Sequence, residues 1–320
     1  MEFQFLGTSS GTPTKTRNVS GLALRSEGAS HWSLIDCGEG TQHRILHTSL
    51  SLWNLRAIFI THMHGDHCYG LPGLLASAGM FNRTEQMYIV GPRPLEQFVR
   101  CIMETSELGL PYPIEFVAVE HLGKTDVLPD LEVHITALSH RVPSYAYSFT
   151  ERTVEHKVDV AKLNDEGIPP GPIWGQIQQG DDVMLPDGRI LNARNYLLPP
   201  RKRRKTIVGG DNDTPELLAV EARTADVLIH EATYTDDILH KMGPWPQHSS
   251  AKMVAQFANN AGIRNLVLTH FSPRYQEQAE SPSIADIEAE ARAAYTGKLF
   301  LANDFERYVL DRAGNLAKAS

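Results

Sequence analysis

Ten residues constrain this chain more than any other stretch: Ile58-Phe59-Ile60-Thr61-His62-Met63-His64-Gly65-Asp66-His67. The apolar run Ala57 to Ile60 reads as a buried strand, and three histidines and one aspartate follow it within six residues. Past a strand end, His62 and His64 alternate so that both side chains point to one side. Gly65 lets the backbone turn sharply, and Asp66 and His67 then face a second point. Imidazole nitrogens and carboxylate oxygens are ligands that Zn²⁺, Mn²⁺ and Fe²⁺ prefer, so H-x-H-x-D-H reads as half of a two-metal site. A polar loop rich in histidine by chance is the bland alternative. Spacing, strand context and ligand type all argue against it.

Composition limits what such a site serves. At 320 residues, 42% hydrophobic and 21% charged, the chain has the make-up of a globular protein with a sizeable core. No apolar run approaches the roughly 18 residues of a membrane span. The start, Met1-Glu2-Phe3-Gln4-Phe5, has no basic region followed by an apolar stretch, so no signal peptide is expected. Three scattered cysteines, Cys37, Cys68 and Cys101, suit a reducing cytoplasm better than a disulfide framework. A net charge of −8 excludes a surface that is basic all over, so a polyanionic partner would meet local basic patches.

The strand-then-ligand pattern recurs along the chain. Leu131 to Leu138 reads as a strand that delivers His140, Thr206 to Val208 one that delivers Asp211, and Leu266 to Leu268 one that delivers His270. Active sites of layered α/β folds gather at strand ends, so these residues are expected to converge. Asp211 is the natural bridging carboxylate, with Asp213 as its competitor; His121 and His134 lie in a polar loop and within a strand. Early strands, then alternating strands and helices (one helix spanning about Thr214 to Arg223), indicate sheets sandwiched between helices. Residues 151–199 differ in character. Gly167-Ile168-Pro169-Pro170-Gly171-Pro172 excludes a helix or central strand, so an extended arm or small insertion is expected there on a single catalytic body spanning 1–320.

With these residues in hand, the chain resembles the metallo-β-lactamase superfamily, and within it ribonuclease Z, the tRNA 3′-processing endonuclease. Pro13-Thr14-Lys15-Thr16-Arg17-Asn18 is similar to that family's P-x-K-x-R-N loop. His230-Glu231-Ala232-Thr233 is similar to its H-E-A-T segment, and Gln247-His248-Ser249-Ser250 to its H-S-T segment. The Gly-Pro step at Gly171-Pro172 resembles its tRNA-binding arm. The resemblance implies a four-layered αββα sandwich with a protruding arm, two divalent ions per chain (Zn²⁺, with Mn²⁺, Co²⁺ or Fe²⁺ as alternatives), precursor tRNA as substrate and a homodimer. It implies one ion held by His62, His64, His140 and Asp211, and another by Asp66, His67, Asp211 and His270. Asp66 is implied as general base, and His248, held by Glu231, as general acid. Lys15, Arg17 and Asn18, with Gly171 and Pro172 of the arm, are implied as RNA contacts, and Arg44 and the basic run Arg201 to Lys205 are further candidates. The products implied are a tRNA 3′-hydroxyl and a 5′-phosphorylated trailer. Alternatives are a hydrolase of a small phosphodiester, sulfate ester or thioester on the same scaffold, and an inactive RNA-binding subunit.

Overall fold

Strands that are apolar on both faces need cover on both sides, and that requirement organises the molecule. The computed structural model describes residues 1–276 and 280–319. Six strands open the chain: β1 (Glu2–Gly7), β2 (Gly21–Arg25), β3 (Trp32–Ile35), β4 (Leu55–Phe59), β5 (Met87–Gly91) and β6 (Ile114–Ala118). After β7 (Leu131–Leu138) and β8 (Ser144–Glu151) come the short β9 (Val183–Met184) and β10 (Ile190–Leu191). The series then runs through β11 (Lys205–Val208), β12 (Val227–Glu231), β13 (Asn265–Thr269), β14 (Lys298–Leu301), β15 (Arg307–Leu310) and β16 (Leu316–Lys318). One sheet has the order β16-β15-β1-β2-β3-β4-β5-β6, the other β14-β13-β12-β11-β8-β7.

Period-two alternation divides these strands between three apolar cores. Phe5, Phe59, Ile229 and Val267 point into the core between the sheets. Their neighbours Leu6, Ile58 and Ile60 face the helices Leu71–Met80 and Pro94–Thr105. On the other sheet, Ile207, Leu228 and Leu266 face the helices Ala251–Asn260 and Ile284–Ala294. The result is four layers, helix, sheet, sheet, helix. Strands β3 to β6 run parallel, as do β11 to β14, so each sheet gathers several C-terminal strand ends along one edge.

The strand β8, not anticipated from the sequence, joins the two sheets. Its Tyr147 and Phe149 each meet the Phe59 ring edge-on at 5.2 Å between centroids. Such pairs add about 0.5–1.5 kcal/mol each beyond simple burial. The Tyr147 hydroxyl donates to Ile60 O at 2.8 Å, and Tyr145 N donates to Thr61 O at 3.1 Å. The chain entering the histidine motif is thereby tied to the opposite sheet. Two further elements differ from the sequence expectation. The helix expected over about Thr214 to Arg223 is a 3₁₀ turn, Pro215–Leu218, followed by the short helix Ala219–Ala222. The helix Asp236–Met242 buries no residue and so carries no apolar stripe to announce it.

Residues Glu151–Arg203 form a compact unit of their own. Of the extended arm and the small insertion expected here, it has the make-up of the second: two helices, Val160–Asp165 and Pro172–Gln179, the β9–β10 ribbon and a small core that includes Leu163, Ile168, Ile177 and Tyr196. Gly167 to Gly171 is irregular, as its composition requires, but Pro172 then opens a helix that closes at the left-handed Gly180. Trp174 is half-buried against this core and its Nε1 donates to Ile168 O at 3.2 Å, so it packs the unit onto itself.

Candidate metal centre

Past β4, the backbone N–H and hydroxyl of Thr61 both donate to Asp36, at 2.8 and 2.9 Å. That clamp fixes the exit of the strand and aims His62 inward, fully buried. His64 stands at the N-cap position of the one-turn helix Gly65–Cys68, which carries Asp66 in its first turn and His67 behind it. Close backbone packing supports the turn. A Cβ on Gly38 would stand 2.3 Å from the Asp66 carbonyl oxygen, and one on Gly210 would stand 2.6 Å from Thr61 Cβ, so glycine is required at both positions.

Four strand ends meet here. His62 Nε2 and His140 Nε2 each lie 3.1 Å from His64 Nδ1, and 3.5 and 3.7 Å from Asp211 Oδ2. Beside them, His67 Nε2 and His270 Nε2 are 3.2 Å apart, and both sit 3.4 Å from Asp211 Oδ1. Asp66 Oδ2 lies 3.3 Å from His270 Nε2 and 3.4 Å from His67 Nε2. Asp211 thus turns one oxygen to each cluster, whereas the Asp213 carboxylate accepts from Thr214 Oγ1 instead. His270 adopts a left-handed backbone at φ 59°, as does Asp36, and such strain persists where the surroundings over-determine it.

The donor set fits divalent cations on three counts. Ligand atoms about 2.1 Å from a tetrahedral ion stand about 3.4 Å from one another, close to the spacings within each cluster. The outward ring nitrogens are occupied: His62 Nδ1 by Thr61 Oγ1 at 3.0 Å, His67 Nδ1 by Asp36 Oδ2 at 2.7 Å, His140 Nδ1 by Gln247 O at 2.8 Å, and His270 Nδ1 by Thr233 Oγ1 at 3.0 Å. With the outward nitrogen donating, the inward nitrogen keeps its lone pair. Lastly, burial holds His62 well below the usual imidazole value, brings His64 down to about 4 and lowers His140, so these rings are neutral at pH 7. Burial opposes charge on His67 too, but Asp66, Asp211 and Asp36 outweigh it and hold a proton there, which a bound cation would displace. Burial likewise works against ionised Asp66, yet the His67 charge and hydrogen bonds from His270 and His67 keep it far below the carboxylate range. Asp66 stays an anion.

At the rim, His248 Nδ1 lies 3.0 Å from both oxygens of Glu231 and 3.7 Å from Asp211 Oδ2. Burial lowers the imidazole pKa, but Glu231 and Asp211 more than reverse this and push it up to about 9. Thr233 Oγ1 donates to Glu231 at 2.5 Å, linking this pair to His270. A cleft of about 300 Å³ opens over Asp66, Asp211 and His248, with Gly65, Tyr69 and Arg141 also on its walls.

Other anticipated residues lie elsewhere or do other work. Arg17 is a correction: it is 5% exposed, and its guanidinium donates to Thr8 Oγ1, Ala302 O and Asn303 Oδ1, which leaves it unavailable to RNA. Arg44 pairs with Asp304 at 2.6 Å, and Asn18 Nδ2 donates to Glu39 O. Lys15 is exposed on the same loop, and Gly171 and Pro172 are exposed in the separate unit. Within the basic run, Arg201 grips Glu151 with both terminal nitrogens, Arg204 is buried on Leu310 O and Glu27, and Lys205 pairs with Glu221. Residues the sequence reading missed include Asp36, Thr233, Tyr69 and Arg141. Asp36 directly follows β3, so the strand-then-carboxylate signal that found Asp211 was present there as well.

A family model described as "Anti-Pycsar protein Apyc1" matches residues 1–152. A ribonuclease Z from Marinobacter nauticus is 52% identical over 99% of this chain and 99% of its own length. The human tRNase Z, short form, superposes with a TM-score of 0.67 at 26% identity, over 97% of this chain and 100% of its own. A metallo-β-lactamase fold protein from Bacillus subtilis gives a TM-score of 0.64 at 16% identity, over 96% of this chain and 98% of its own. The four layers are those of the metallo-β-lactamase fold.

Proposed function

This chain belongs to the ribonuclease Z family, a hydrolase that processes tRNA 3′ ends, and from that premise we propose the chemistry by which it cuts. The family and the clustered donors imply divalent metal ions; in our reading there are two, and they are zinc. His62, His64, His140 and Asp211 would hold one, and Asp66, His67, Asp211 and His270 the other. Such ions, when bound, supply Lewis acidity toward a phosphodiester and lower the pKa of water. The observation that carries this reading is Asp211, one carboxylate whose two oxygens address two clusters.

Asp66, held by the Gly11 N–H at 2.7 Å, orients the attacking water and accepts its proton. The water oxygen bonds to phosphorus and the bond from phosphorus to the 3′-oxygen breaks. His248 is protonated at neutral pH and oriented through Nδ1 by Glu231, so its Nε2 delivers a proton to the departing 3′-oxygen. The products are a tRNA 3′-hydroxyl and a trailer with a 5′-phosphate. The unit at 151–203 serves in this reading as the tRNA grip, with Gly171 and Pro172 on its exposed surface, and Lys15 and Asn18 as contacts from the first loop. We read the enzyme as a cytoplasmic homodimer; no helix among the described residues is long and apolar enough to cross a membrane. Incubating the protein with precursor tRNA bearing a 3′ trailer, with and without chelator, tests the reaction. A single cut at the trailer junction that chelator abolishes is expected. An uncut substrate, or a cut indifferent to chelator, overturns it.

A further inference from the structure

Two residues on the wall of the catalytic cleft have no part in the chemistry above. Arg141 directly follows His140 and is exposed to the cleft. No hydrogen bond or ion pair engages its guanidinium among the described residues, unlike Arg17, Arg44, Arg201 and Arg204. Its charge reaches His64 and Tyr234, and the Tyr234 ring stands edge-on to His248 at 6.0 Å. Arg141 and His248 line the same cleft, so in the reading above Arg141 stands on the side of the leaving oxygen. Tyr69 occupies the flank of Gly65 and Asp66. It is 61% exposed on that wall. Its ring is stacked on Phe98 at 6.3 Å and 24°, and it lies so close over Gly65 that a Cβ there would stand 2.3 Å from Tyr69 Cε2.

An unpaired guanidinium suits a phosphate and an exposed, braced aromatic face suits a nucleobase. Resting on the nuclease reading above, we propose that Arg141 and Tyr69 grip the two nucleotides flanking the scissile bond. Arg141 binds the phosphate immediately 5′ of the cut, on the strand that keeps the 3′-hydroxyl. Tyr69 stacks on the first base of the departing trailer. Both are binding residues that set the register of the cut; neither transfers a proton.

The test is a pair of double-mutant cycles on kcat/KM, run with the metal-loaded protein. Arg141→Ala is measured on precursor tRNA with a normal phosphate and with a neutral methylphosphonate one phosphate 5′ of the cut. Tyr69→Ala is measured on substrate with a normal and with an abasic first trailer nucleotide. Arg141→Ala is expected to lower kcat/KM about ten- to a hundredfold on the charged substrate and to change nothing further once that phosphate is neutral. Tyr69→Ala is expected to cost about five- to a hundredfold with the base present and nothing with it absent, with cut sites scattering by a nucleotide. Tyr69→Phe and Arg141→Lys should recover most and little of the loss, respectively. Losses that are the same with and without the probed group overturn the proposal. Wild-type protein that leaves the normal substrate whole refutes the nuclease reading instead, so the two failures are distinguishable. Metal content of each variant, expected to match wild type, reports on folding independently of turnover.

Discussion

His248 and Glu231 are a buried pair whose protonation is set by their surroundings. A raised imidazole pKa means the pair stabilises the fold fully below the ordinary value of about 6.5, and that this contribution is lost as pH rises through about 9. Thermal melts of the chelated protein between pH 6 and 10 should therefore show a fall in Tm near pH 9 that Glu231→Gln removes. In the metal-loaded enzyme, kcat/KM should decline on an alkaline limb at or below about 9, since bound cations repel the protonated ring. His248→Ala should lower kcat by about 10² to 10⁴, flatten that limb and leave the metal content intact. Unchanged turnover would remove His248 from the mechanism. Asp36 touches no reacting atom, yet it holds Thr61 twice and His67 Nδ1 once. Asp36→Ala should weaken metal binding about 10–100-fold in a chelator-competition titration, the usual consequence of freeing a ligand's outer nitrogen.

At the scale of elements, strand ends were legible and small folded pieces were not. Short apolar runs ending in histidine or aspartate announced β4, β11 and β13 together with the candidate metal donors that cluster at their ends. The strand β8 has the alternation a strand requires, Tyr145, Tyr147 and Phe149 against Ala146 and Ser148, but no candidate ligand at its end to mark it. For the unit at 151–203, composition leaves the extended arm and the small insertion both open, and only the fold shows a compact piece. Its Gly-Pro step dominates the composition, while its core is only a handful of side chains spread over two short helices and a ribbon. That thin core makes a clean test. Ile177→Ala empties a fully buried site and should cost about 2–5 kcal/mol, enough to unfold so small a unit. Cleavage of precursor tRNA should then collapse while hydrolysis of bis(p-nitrophenyl) phosphate persists. Parallel loss of both activities would mean that the unit supports the catalytic body rather than the RNA.

At the scale of the whole molecule, four largely buried carboxylates are gathered at one place. Asp36, Asp66, Asp211 and Glu231 are all 10% exposed or less at the side chain, and they are crowded among histidines. A cation there offsets like-charge repulsion, so metal binding and folding are coupled. At metal a thousandfold above Kd the gain is about 4 kcal/mol, and removing it with chelator should lower Tm by several degrees, with recovery on adding Zn²⁺. A melt indifferent to chelator would argue against cations in this site. What the sequence determined by itself was chemical identity: which histidines and aspartates are candidate metal donors, and which strands bring them together. Ligand spacing and strand hydrophobicity are local properties, and they survive being read one segment at a time. Which arginines are free was decided only in three dimensions. Arg17, Arg44, Arg201, Arg204 and Arg141 carry the same group, but four of them are drawn to carbonyls or carboxylates distant in sequence. A side chain's availability depends on partners that only the packed fold supplies.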